Sequence, residues 1–162
     1  MTDYKCFEVR RAGSWSGAFE LCVMRYDDRF LRRKVVTTVH DETVLIDLEH
    51  TTSLDHRDAL VLEDGRFIEV IAAEEPLLEI TGADLVKLAW HVGNRHTPCQ
   101  IETQRLLIQA DPVIGHMLEH LGATVTAVSE PFTPEGGAYG HGRTHAHEHV
   151  HTAHDHAHGH DH

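Results

Sequence analysis

Leu77-Leu78-Glu79-Ile80-Thr81 is a short apolar run, and Leu85, Leu88, Ala89 and Val92 follow it at i, i+3, i+4, i+7 spacing. The change from one pattern to the other decides the fold of the second half of the chain. The run Leu77 to Ile80 predicts a strand and the stripe an amphipathic helix, with Thr81 as its cap and Gly93 as its stop. Gln100 to Ile108 predicts one or two strands. Asp111-Pro112 predicts a second helix start, because the carboxylate accepts from free N–H groups and proline has none to leave unpaired. Ile114, Met117, Leu118 and Leu121 form the buried stripe of that helix, Gly122 ends it, and Ala123 to Val128 returns as a strand. Strand, helix, strand pair, helix, strand is the order of a ferredoxin-like βαββαβ unit, placed here at residues 75–140.

Toward the N-terminus the pattern is different. Residues 1–74 predict a small β-rich domain, in which Val35–Val39 and Val44–Leu48 flank His40-Asp41-Glu42-Thr43 as one hairpin. Ala59–Glu63 and Arg66–Ala72 flank Asp64-Gly65 as another, a turn pair that tolerates positive φ at both central positions. Leu54–Asp58 is polar enough for a loop, and acidic Glu74-Glu75-Pro76 suggests a linker. At the other end, Pro131 to Gly140 carries two prolines and three glycines and little apolar content. Beyond it ten of the 17 histidines fall within residues 141–162, a stretch with almost nothing to bury and therefore a disordered tail. The fold class is thus α+β, with a β-rich domain, a ferredoxin-like domain and a histidine-rich tail.

Composition excludes several function classes. A formal net charge of −12 over 162 residues repels phosphate backbones, and the longest basic cluster is only Arg32-Arg33-Lys34, so no nucleic-acid partner is expected. No stretch approaches the roughly 20 apolar residues that cross a bilayer, and Met1 to Cys6 lacks the apolar core of a signal peptide; the expectation is a cytoplasmic protein with no membrane contact. Cys6, Cys22 and Cys99 are odd in number and form no Cys-x-x-Cys pair, which excludes a disulfide framework and a four-cysteine zinc site. No nucleophile elbow, phosphate loop or metal-spaced carboxylate pair is present, Ser14-Trp15-Ser16-Gly17 and Gly136-Gly137 included, so the chain is not expected to be an enzyme.

The chemistry lies in imidazole. In the tail, His145, His147, His149 and His151 alternate with other residues, as do His154, His156, His158, His160 and His162, with His141 just ahead of them. Imidazoles at i and i+2 of an extended chain share a side, and neutral imidazole suits nickel, copper and zinc alike. His116 and His120, at i and i+4, lie opposite the Ile114/Leu118/Leu121 stripe and should be exposed; such a pair can chelate an ion or simply be solvated. His91 reads as a dipole-favoured residue in the last turn of the first helix. His96 reads as a loop histidine at a helix-to-strand corner, and Cys99 as a small buried thiol. His40, His50 and His56 obey no mutual spacing.

The segment His91-x-Gly93-Asn94-Arg95-His96-x-Pro98-x-Gln100-Ile101, then Met117-Leu118, then Pro131-Phe132-x-Pro134-Glu135-x-Gly137-Ala138-Tyr139 and a histidine-rich end, resembles the UreE family of urease accessory proteins. What the resemblance implies is a homodimeric nickel metallochaperone, tetrameric in some metal-bound states. It would hand Ni(II) to the urease maturation complex through an accessory GTPase and use its β domain for peptide or partner binding. By the same resemblance His96 of two copies shares one ion across the dimer axis, and the tail histidines His145 to His162 complete the shell; His91 matches the motif without being carried over as a ligand, and His116 and His120, by their own spacing, and His141 are further candidates. Some family members carry a histidine pair just before the last helix; here that stretch is Gln109-Ala110-Asp111-Pro112. Two other readings of the residues stay open: a nickel, zinc or copper storage protein, and a peptide-binding adaptor. Zn(II) or Cu(II) binding follows from imidazole chemistry alone.

Overall fold

The computed structural model describes residues 1–136. Its first half is a six-stranded mixed sheet built from β1 (Tyr4–Arg10), β2 (Ala18–Met24), β3 (Phe30–Thr37), β4 (Thr43–Ser53), β5 (Ala59–Leu62) and β6 (Phe67–Ala72) in the order β2-β6-β5-β1-β4-β3. Period-two alternation turns Val44, Ile46 and Leu48 of β4 inward, where they meet Cys6, Cys22, Val36, Leu60 and Val70. Both predicted hairpins are present, with Val36 opposite Val44 and Leu60 opposite Ile68, and 54–58 is a loop. The second hairpin turn differs from the expectation. Gly65 has φ +87° but Asp64 is not in the left-handed region, and the Gly65 N–H donates to Leu62 O, so Gly65 alone supplies the left-handed residue. Strands β1 and β2, whose outward faces keep Phe7, Phe19, Leu21 and Val23 exposed, have no clear alternation in hydropathy to announce them.

The second half runs β7 (Glu74–Thr81), α1 (Leu85–Asn94), β8 (Gln100–Ile101), β9 (Leu106–Gln109), α2 (Pro112–His120) and β10 (Thr124–Pro131). Its four strands lie in the order β10-β7-β9-β8, and each neighbouring pair is antiparallel. Both helices lay their stripes, Leu88 and Val92 from α1 and Ile114 and Leu118 from α2, on the sheet face carrying Leu78, Ile80, Leu106, Ile108 and Val125. Gly115 permits the close approach: a Cβ there would lie 3.1 Å from Leu78 Cδ1. The molecule is therefore α+β, as expected.

Three local expectations are corrected, and Phe132 has a place that no expectation assigned it. Glu74-Glu75-Pro76 is not a linker but the first residues of β7, paired with Ser129–Pro131 of β10; the proline sits before pairing with β9 begins at Leu77, where its missing N–H costs no ladder bond. Asp84, not Thr81, caps α1, its carboxylate accepting from Lys87 N–H, while Thr81 stays in β7. Leu121 is the C-cap of α2 and is 37% exposed, outside the buried stripe. Phe132 is fully buried despite its proline-rich surroundings, and lies with Leu77, Leu107, Val128 and Tyr26 on the sheet face away from the helices. Through this small cluster the two halves touch. The Phe132 C=O accepts from Arg29, and the buried Glu75 carboxylate accepts from Tyr26 N–H at 2.9 Å. Among the described residues no helix is long and apolar enough to cross a membrane.

Candidate functional site

The end of α1 is built by a Schellman motif. Arg95 is the C-cap, the His96 N–H donates to Gly93 O at 2.9 Å, and the Thr97 N–H donates to Val92 O at 3.3 Å. The residue following the cap in this motif adopts the left-handed conformation and is usually glycine. Here it is His96, with φ 57°. The end of α2 is its control: Gly122, φ +90°, donates to Glu119 O, and Ala123 N–H donates to Leu118 O. Gly93, expected as the stop of α1, lies inside the helix, and the left-handed position falls three residues later. A side chain there costs about 1 kcal/mol relative to glycine, and such strain is found where a side chain does work.

His96 is exposed, on a corner fixed by two backbone hydrogen bonds. Three residues on, Cys99 is buried, and burial pushes its thiol up to about 11. Burial likewise pushes Cys6 and Cys22 up to about 11. Along α1, Val86, Trp90 and Gly93 line one exposed stripe that ends at His96, with Val86 83% and Trp90 63% exposed and open space at Gly93. His91 is half-buried against Trp90, ring centroids 5.0 Å apart and nearly perpendicular.

His116 and His120 are exposed on α2, as expected. His116 borders a groove of about 300 Å³ floored by Leu78, Gly115 and Val125 and rimmed by Asp111 and Glu119. The Asp111 carboxylate is occupied as the helix cap, accepting from Val113 and Ile114 N–H. Among the described residues no three His, Cys, Asp or Glu side chains come together to hold a metal. His116 and His120 lie one turn apart on the exposed side of α2, His91 and His96 at the end of α1, and His141, His145, His147, His149, His151, His154, His156, His158, His160 and His162 lie outside the described residues.

Two histidines unassigned by sequence have clear structural tasks. His40 Nδ1 meets both oxygens of buried Glu20 at 2.9 Å, and this carboxylate beside it raises the pKa of His40. Burial works to raise Glu20, but bonds from Leu21 N–H and His40 outweigh it and the net shift is downward. His56 Nδ1 accepts from Ala72 N–H at 3.0 Å, and desolvation, then the charges of Arg57 and Arg29, lower its pKa.

A small β-rich unit and a small α+β unit touch along a thin seam, with a strained histidine at one exposed corner of the second. The C-terminal domain model of the UreE urease accessory proteins matches residues 75–162 and the N-terminal domain model matches 9–73. The chain is 66% identical over 140 residues to a urease accessory protein UreE of Ruegeria pomeroyi, covering 86% of this chain and 94% of that one. With its counterpart in Rhodobacter capsulatus it shares 52% over 141 residues, 87% and 90% of the two chains, and with that of Cereibacter sphaeroides 53% over 135 residues, 83% and 74%. The chain belongs to the UreE family of urease accessory proteins and is not an enzyme.

Proposed function

We propose that this protein is a homodimeric, cytoplasmic nickel chaperone that binds Ni(II) and delivers it to the urease maturation complex through an accessory GTPase. The observation that carries the reading is His96 standing in the left-handed position that Gly122 occupies at the other helix end. The relatives' name, urease accessory protein, supplies the process. The division is 1–74 for partner binding, 75–140 as a ferredoxin-like metal domain and 141–162 as a metal-collecting tail. The strand order β10-β7-β9-β8, antiparallel throughout, supports the second of these. Edge strand β2, with exposed Phe19, Leu21 and Val23 and the Arg66 guanidinium 4.2 Å from the Phe19 ring, supports the first.

One imidazole cannot select an ion, so His96 needs ligands from elsewhere. A second copy docked along Val86, Trp90 and Gly93 would bring two His96 side chains together and bury an exposed tryptophan. Tail imidazoles from His141 to His162 would complete the shell. Each ordered tail ligand costs chain entropy, which keeps affinity moderate enough for release to a partner. Zn(II) or Cu(II) at the same imidazoles rests on ligand chemistry alone.

Nickel titration calorimetry on the full chain, on residues 1–140 and on His96→Ala tests this. The truncated chain should keep about one ion per dimer, the full chain should take several, and His96→Ala should lose the site that survives truncation. No nickel on 1–140, or an unchanged site in His96→Ala, overturns the assignment.

A further inference from the structure

We infer that His116 and His120 form a second metal site, a two-imidazole chelate on the solvent face of α2 for a divalent late first-row cation such as Zn(II) or Ni(II). It needs neither His96 nor any residue beyond 136. The two side chains stand one turn apart, with Cβ atoms about 6 Å from each other, and histidines at this spacing on one helix face hold a single zinc ion in metallopeptidase helices. In His116-Met117-Leu118-Glu119-His120 a carboxylate also precedes the second histidine, as in one class of those helices. What they add, a third protein ligand, is missing among the described residues.

The backbone between the two histidines is fixed before any ion arrives. Asp111 caps the helix by accepting from Val113 and Ile114 N–H, and Ile114 and Leu118 anchor its inner side in the core. Gly122 and Ala123 close its end with bonds to Glu119 O and Leu118 O. Both rings are exposed on the side of the helix opposite Leu118, and among the described residues neither takes part in a hydrogen bond or ion pair. His40 and His56 differ in this respect, because Glu20 and the Ala72 N–H already occupy their Nδ1 atoms. The local field favours a cation. Glu119 is exposed beside the pair, Asp111 completes the acidic rim of the groove that His116 borders, and His120 lies at the negative end of the helix dipole. Two imidazoles leave the rest of the coordination sphere to water, so the ion stays open to a further donor and exchanges readily.

The test is zinc and nickel titration calorimetry on the full-length chain with His96 and the ten histidines of residues 141–162 replaced by asparagine. One ion per chain should bind, and His116→Ala or His120→Ala should each weaken it about tenfold or more. The decisive variant keeps the number of imidazoles and changes their spacing. His116→Ala with Val113→His, at a position 68% exposed, sets the pair two turns and about 10 Å apart along the axis. Helical side chains lean toward the N-terminus, so these rings cannot converge, and the variant should bind as poorly as His116→Ala alone. In the otherwise unchanged chain, zinc should shift the NMR amide signals of His116 and His120 together, with one midpoint. No ion bound in the asparagine background, undiminished affinity in the respaced variant, or separate midpoints overturn the site. None of these outcomes bears on His96, which the asparagine background lacks, so the chaperone reading stands or falls separately.

Discussion

His96 and Gly122 end two helices with the same pair of backbone bonds, yet only one of them has the residue that the geometry favours. His96→Gly should therefore stabilise the apo protein by about 1 kcal/mol, a rise of about 3 °C in melting temperature, while removing nickel from the site. His96→Ala should lose the nickel without the stability gain, since alanine is as strained there as histidine. Differential scanning calorimetry of the three proteins decides it; a destabilised His96→Gly would mean that the histidine is held by packing and not selected as a ligand. The sequence singles this residue out only through the Gly-Asn-Arg-His motif and the ligand role that the UreE resemblance implies for it. Its backbone state was not legible, because a glycine three positions earlier offers the commoner stop. A second residue-scale device is the His40–Glu20 pair. The raised His40 pKa contributes stability fully present below the free imidazole's value near 6.5 and lost as pH rises through the folded value; the lowered Glu20 pKa contributes stability present above 4.5 and lost as pH falls below it. The destabilisation caused by His40→Ala should accordingly be largest between about pH 4.5 and 6.5 and shrink on both sides, as thermal melts across pH 3.5 to 8 would show.

At the scale of elements, the helices and the two hairpins were readable because each carries its own punctuation: Asp111-Pro112 and Gly122 bracket α2, and Gly65 turns β5 into β6. The joints between elements were not. Glu74-Glu75-Pro76 has the composition of a linker, but two acidic residues can face solvent or a partner while their backbone pairs, and Glu75 is 4% exposed because Tyr26 N–H and Gln109 Nε2 bind its carboxylate. Phe132 was hidden in the same way, a lone aromatic among prolines whose partners Tyr26, Leu77 and Leu107 lie far away in sequence. This seam predicts that Phe132→Ala will cost about 3–5 kcal/mol, the range for emptying a buried phenylalanine site. It should also loosen the two halves: denaturant unfolding should split into two transitions or broaden, whereas an unaltered midpoint would show that the seam contributes nothing.

For the molecule as a whole, the proposed nickel binding depends on charge. The chain is formally −12 with histidines neutral, and of its 26 acidic residues only Glu148, Asp155 and Asp161 lie beyond residue 136. The tail is thus nearly uncharged above neutrality and gains up to about +10 when its ten imidazoles are protonated. An imidazole binds metal only when neutral, so each ligand contributes about one unit of lost log affinity per pH unit below about 6.5. On the proposed reading every further imidazole ligand steepens that dependence. Protonated tail and acidic body also attract each other, an interaction that salt screens over about 10 Å at 0.1 M. Nickel affinity between pH 5.5 and 8 should fall cooperatively with acidity, more steeply for the full chain than for 1–140. Raising the salt concentration should recover part of the loss only where the tail is present. A flat profile would mean that carboxylates hold the ion, and neither His96 nor the tail could then be its carrier.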